Sequence, residues 1–134
     1  MGFAKSTPYS KYEYQGERFP NAEVKAYLGT SLDLPVYENS YYYLDCFTSA
    51  LYDCKSTDIE IRNTSLTAFR SYLAKLESAG YTFNSPLTGD EKGDTFYIAY
   101  DSSKTYSVRC IYFTEDKQAD IFAYNYMGKL HESK

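Results

Sequence analysis

The sequence predicts an α+β domain, an antiparallel sheet of about five strands with two helices packed on one face. Three observations lead there. Residues 63–80, NTSLTAFRSYLAKLESAG, carry Leu66, Phe69, Leu73 and Leu76 at i, i+3, i+7 and i+10, which is one apolar stripe at helical period. Residues 41–47, 95–100 and 106–113 alternate apolar and polar positions with period two, as half-buried strands do. Helical and strand segments are also segregated along the chain instead of alternating, which excludes a βαβ winding.

Taken in order, residues 1–17 are polar, hold Gly2, Pro8 and Gly16 and show no period, so they read as a flexible arm. FPNAEVKAYLG, 19–29, is a two-turn helix with Asn21 as its N-cap, Phe19 as a staple and Val24, Tyr27 and Leu28 on one face. Residues 30–40 hold Pro35 and an Asn-Ser turn signal and form a connection. YYYLDCF, 41–47, is a strand with Tyr42, Leu44 and Cys46 on one side and Tyr41, Tyr43, Asp45 and Phe47 on the other. TSALYDC, 48–54, extends it, forms a second strand or turns irregularly, and DIEIR, 58–62, points Ile59 and Ile61 inward.

The long helix follows, with Asn63, Thr64 or Ser65 as N-cap and Gly80 in the left-handed C′ position. Leu73 lies mid-stripe and so belongs at the centre of the contact with the sheet. Residues 81–84 are a short strand and 85–94 a loop with Pro and Gly. Residues 95–100 and 106–113 make a hairpin across Asp101–Lys104, and 119–126 returns as a last strand. The domain therefore spans 18–127, ahead of a polar tail at 128–134. Alternation in the C-terminal strands fits one face under the helices and one toward solvent.

A chain of 134 residues can bury a core without disulfides or a metal. Its net charge of −4, with no run of either sign, argues against a nucleic-acid partner, because phosphate binding needs clustered Lys and Arg. No apolar run approaches the roughly 18 residues of a transmembrane segment. The N-terminus lacks the apolar stretch of a signal peptide, although a chain from which such a leader had been removed reads the same way.

Little in the sequence points to catalysis. There is one histidine, His131, near the end of the chain. GDEKGD, 89–94, lacks the Lys-Ser/Thr and the helix start of a phosphate loop. Neither a D-x-D-x-D-G calcium loop nor a Cys nucleophile with a paired base is visible. Glu13, Glu17, Asp45, Glu60, Asp94 and Asp101 are scattered with no spacing that selects a pair. The expectation is no catalytic residue, no metal site and no cofactor. Cys46, Cys54 and Cys110 have no C-x-x-C spacing, so they are buried thiols or, outside the cytoplasm, include one disulfide, with Cys46–Cys54 the preferred pair.

Tyrosine is the unusual residue: 17 Tyr and 8 Phe with no Trp. A tyrosine ring packs on a half-buried sheet while its hydroxyl stays polar, so the count fits a thin core as well as an interface. If it is an interface, Tyr41 and Tyr43 on one strand and Phe122, Tyr124 and Tyr126 on another are the expected binding residues, left on the face the helices do not cover. A homodimer through that sheet face is the competing use of the surface.

F-P-x-x-x-V-x-x-Y-L-G, then S-x-x-x-F-x-x-Y-L-x-x-L-x-x-x-G-Y, then a short strand, a Gly loop and three alternating strands resembles small α+β modules of secreted proteins and lipoproteins of Gram-positive bacteria, over about residues 19–126. The resemblance implies an extracellular or cell-surface, non-catalytic module that contacts protein or glycan, and it transfers no catalytic residue. The alternative is a small acidic cytoplasmic inhibitor or adaptor, for example phage-encoded.

Overall fold

The computed structural model describes residues 12–29, 32–49, 54–83, 88–89, 95–100 and 106–124. Its elements in chain order are β1 (Tyr12–Gly16), α1 (Asn21–Leu28), β2 (Tyr42–Ser49), β3 (Cys54–Arg62), α2 (Leu66–Ser78), β4 (Thr82–Phe83), β5 (Thr88–Gly89), β6 (Thr95–Tyr100), β7 (Ser107–Phe113) and β8 (Gln118–Tyr124). The sheet is antiparallel throughout, in the order β1-β2-β3-β8-β7-β6-β4, with β5 also paired to β6. Among the described residues it has five strands of six residues or more, β2, β3, β6, β7 and β8, and shorter pieces at its margins. With two helices, this is the predicted α+β class. None of the described helices is long and apolar enough to cross a membrane.

Register divides the sheet into two faces. Leu44 lies opposite Ile59, Ile59 opposite Ile121 and Ile121 opposite Cys110, all fully buried or nearly so. The alternate positions Tyr42, Ile61, Ala119 and Tyr112 join them in one core with the helices. From α2 this core takes Phe69, Tyr72, Leu73 and Leu76, and from α1 it takes Val24 and Leu28. Each large side chain buried here contributes roughly 1.5–3 kcal/mol. Leu66, which the stripe includes, is only half-buried, while Tyr72, which it omits, is buried because its ring meets Tyr37 with centroids 5.0 Å apart.

The ends of α2 follow local chemistry. Ser65 Oγ accepts from the Ala68 N–H at 3.0 Å, which settles the cap among the three candidates. At the other end Gly80 N–H donates to the Glu77 carbonyl and Tyr81 N–H to the Leu76 carbonyl, with Gly80 at φ +102°. This is a Schellman closure, with Tyr81 and Leu76 both buried beneath it.

For α1 the expected Asn21 cap is corrected: the cap position is Pro20, with no side-chain bond. Asn21 instead donates from Nδ2 to Asp33 Oδ1 at 2.8 Å and accepts the Leu34 N–H, clamping the following connection. Gly29 closes the helix at φ +153°, and a Cβ there would collide with the Tyr106 hydroxyl.

That connection is no loose loop. Leu32, Leu34 and Tyr37 are buried, and side chains from the helix and sheet take its backbone carbonyls one after another. Tyr81 Oη donates to Asp33 O at 3.0 Å, Tyr72 Oη to Pro35 O at 2.9 Å, Lys75 Nζ to Val36 O at 2.8 Å, and Tyr42 Oη lies against the carbonyls of Tyr37 and Asn39. A buried irregular segment must satisfy its polar groups somewhere, and tyrosine does so while adding apolar area. A good part of the tyrosine count is thus structural.

A second correction concerns the N-terminal arm. Tyr12–Gly16 is an edge strand, paired with β2 from Tyr12↔Asp45 to Gly16↔Tyr42 with a register break between Tyr12 and Tyr14. The break turns Tyr14 toward the core and leaves Tyr12 on the other face, where its ring meets Tyr43 at 5.2 Å. The tail 128–134 and the rest of the arm, 1–11, lie outside the described residues.

Candidate functional site

Away from the helices, the other sheet face is lined in rows by register. Tyr43 lies opposite Glu60, Glu60 opposite Asp120 and Asp120 opposite Ile111. In the next row Asp45 lies opposite Asp58, Asp58 opposite Phe122 and Phe122 opposite Arg109. Asp58, Glu60 and Asp120 are all buried, each offering a carboxylate oxygen within 4.8 Å of the others. The expectation that this face points to solvent holds only at its margin, since Ser56, Ser107 and Tyr124 are buried too.

The acidic group is held from one side by a compact cluster. Arg62 Nη2 donates to Glu60 Oε1 at 3.1 Å and to Tyr12 Oη at 3.1 Å, while Tyr12 Oη reaches both Glu60 oxygens at 3.1 and 3.2 Å. The Arg62 guanidinium lies 3.8 Å from the centre of the Tyr43 ring. Partial burial lowers the Arg62 pKa, but the Glu60 hydrogen bond and the neighbouring Tyr43 and Tyr12 outweigh it and hold the group above its ordinary value. Gln118 Nε2 donates to Asp120 Oδ1 at 2.7 Å. On the far side Arg109 stands 4.9 Å from the Phe122 ring and 5.7 Å from Tyr124.

Of the five predicted binding residues, Tyr43, Phe122 and Tyr124 lie on this face with Tyr41 against the Tyr43 ring, but Phe122 and Tyr124 sit on β8, across β3 from that pair, and Tyr126 lies outside the described residues. Their exposure differs. Tyr41 is 38% exposed, Tyr43 and Phe122 are half-buried, and Tyr124 is buried and so cannot meet a ligand directly. Asp58 and Asp120 were not singled out by sequence. DIEIR and ADIF put them opposite the inward isoleucines, but only the pairing of β3 with β8, nearly sixty residues apart, brings them beside Glu60.

No protein-family model matches the chain, and no curated protein and no solved structure is significantly similar to it.

The preferred disulfide is a further correction. Cys46, Cys54 and Cys110 are free thiols. Cys46 pairs with Thr57 on the helix-covered face, whereas Cys54 pairs with Ser49 three positions along and points to the other face. Their side chains diverge, which a bridge does not tolerate. Burial pushes the Cys46 thiol up to about 11, helped by Glu13 and Asp45, and pushes Cys110 far above the ordinary thiol range.

On the opposite side of the molecule a groove of about 210 Å³ runs between α2 and the connection, lined by Val36, Tyr37, Ala68, Tyr72 and Lys75. Lys75 and Tyr72 are engaged there by the connection's own carbonyls, so the groove reads as the seam of that packing.

Proposed function

We propose that this protein is a non-catalytic binding module that takes its partner, a protein or glycan, on the sheet face opposite the two described helices. The observation that carries the reading is the Tyr41–Tyr43 ring pair with Arg62 over Tyr43, on a face that also carries Phe122 beside Arg109 farther along. Rigid aromatic rings with few rotatable bonds lose little entropy on binding, and the half-exposed Arg62 over Tyr43 adds oriented donors. Support for a non-catalytic role comes from the carboxylates. Glu60 and Asp120 are buried and bonded to Tyr12, Arg62 and Gln118, an arrangement that holds side chains in place and gives a substrate no approach. A place outside the cytoplasm or on the cell surface is supported by the resemblance to Gram-positive secreted modules.

The test is the double substitution Tyr41→Ser with Tyr43→Ser. Loss of a captured partner with an unchanged far-UV spectrum supports the reading. Retained binding moves the functional surface elsewhere, and a loss of self-association alone would make the face a homodimer contact.

A further inference from the structure

We propose that the margin of the face opposite the described helices, formed by Tyr41, Tyr43, Arg62 and Gln118, is a subsite for one neutral, hydroxyl-rich sugar unit of a glycan. The inference rests on the reading of this face as a binding surface and names the chemistry it takes.

The margin is assembled and held before any ligand arrives. Asn39 Nδ2 donates to the carbonyls of Tyr41, at 3.3 Å, and Arg62, at 3.0 Å, fixing the start of β2 against the end of β3. The Tyr41 ring stands edge-on to Tyr43 with centroids 5.3 Å apart. Arg62 sits over Tyr43, its guanidinium carbon 3.8 Å from the ring centre, with Nη2 committed to Glu60 and Tyr12. Its side chain is still 44% exposed, and its Nε and Nη1 donors have no partner among the described residues. Across the ladder Gln118 uses Nε2 on Asp120, which directs its amide and leaves the carbonyl oxygen as an acceptor. A fixed ring face, planar donors and an amide acceptor thus share one margin.

Charge and size select the ligand class. A cationic group would compete for a ring face that Arg62 already fills. An anionic group would meet a guanidinium already paired with Glu60, above buried Asp58 and Asp120, on a chain of net charge −4. A neutral ligand with hydroxyl groups on one side and C–H groups on the other meets neither objection. A protein partner needs about 800 Å² per side with an apolar centre. Among the described residues the only large exposed apolar side chains are Tyr41 and Val36, and Val36 lines the groove on the opposite side. One exposed ring flanked by donors matches a single sugar ring better than a protein patch.

The test is retention of the 134-residue chain on an array of neutral and acidic oligosaccharides, followed by calorimetric titration with the best-retained sugar. Expected is binding to a neutral oligosaccharide, weakened at least tenfold by Tyr41→Ala and by Arg62→Lys. The lysine keeps a charge beside Glu60 and removes the planar donors, so the fold is spared. Retention of acidic sugars alone, of no sugar, or of a neutral sugar whose affinity both variants leave unchanged overturns the subsite. A protein partner lost in the Tyr41→Ser, Tyr43→Ser variant, with no sugar retained, overturns the subsite while leaving the wider reading of the face in place.

Discussion

The hydroxyl of Tyr12, on the edge strand, reaches both carboxylate oxygens of Glu60, two strands away in the middle of the sheet. With Arg62 Nη2 bonded to both, the edge strand is tied to the candidate site and the arginine is held over Tyr43. Tyr12→Phe should keep the ring contact with Tyr43 and lose the hydroxyl's bonds to Glu60 and Arg62, costing roughly 1.5–3 kcal/mol for part-buried hydrogen bonds to charged groups. It should also loosen the guanidinium, left with Glu60 and the Tyr43 ring alone, so the Arg62 Nε–H resonance broadens in side-chain NMR while the fold persists. An unchanged resonance and an unchanged denaturation midpoint would show that Tyr12 holds nothing.

The same residue shows where sequence reasoning stopped. Tyr12 and Tyr14 alternate, but a five-residue strand with a register break in a polar context has too short a period to read, and its partner β2 starts twenty-six residues after it ends. What local periodicity carries was legible: the cap and Gly80 closure of α2, Ile59 and Ile61 pointing inward, and Val108, Cys110 and Tyr112 buried along one face of β7, with Tyr106 just before it. What depends on pairing across the sheet was not. Asp58 and Asp120 looked like ordinary polar strand positions until β3 met β8, and Asn21 looked like a cap because its bond to Leu34 crosses thirteen residues. The buried connection was hidden for a related reason, since hydroxyls arriving from Tyr72 and Tyr81 satisfy it.

Leu73 belongs to the buried stripe of α2 together with Phe69 and Leu76. Leu73→Ala should destabilise the domain by about 2–5 kcal/mol through lost burial and the cavity left behind. A urea titration checks this, and a cost below about half a kcal/mol would place the side chain on a yielding surface.

Free thiols make a separate prediction. Mass analysis without reductant should count three, because Cys46 and Cys54 point to opposite faces. With its pKa near 11 against an ordinary value of 9.0, Cys46 should carry about a hundredfold less thiolate than a free cysteine at pH 8. Cys110, fully buried in the core, should be slower still. Iodoacetamide should therefore label both slowly in the native protein and all three cysteines promptly in urea. Rapid native labelling of Cys110 would mean that the core opens easily.

The tyrosines that build the fold should make it sensitive to base. Burial pushes Tyr37 up to about 12, against the opposing pull of its 2.7 Å hydrogen bond with Thr64, and burial also raises Tyr72 and Tyr42. Each hydroxyl keeps its proton in the folded state at a pH where the unfolded chain, with tyrosines near 10, has begun to lose it. A group whose folded pKa is the higher one contributes stability that is complete below the unfolded value and is lost as pH rises toward the folded value. Stability should therefore be flat through neutral pH and fall from about pH 10 toward 12, with Cys46 acting in the same direction from about pH 9. Tyrosinate absorbance at 295 nm and far-UV circular dichroism, followed together, distinguish two outcomes. Exposed tyrosines should ionise first without loss of structure, and the clamping tyrosines should ionise in one cooperative step as the dichroism collapses. If every tyrosine titrated smoothly near pH 10 with the spectrum intact, the hydroxyls of Tyr37 and Tyr72 would be in water, and the connection they hold would not be part of the core.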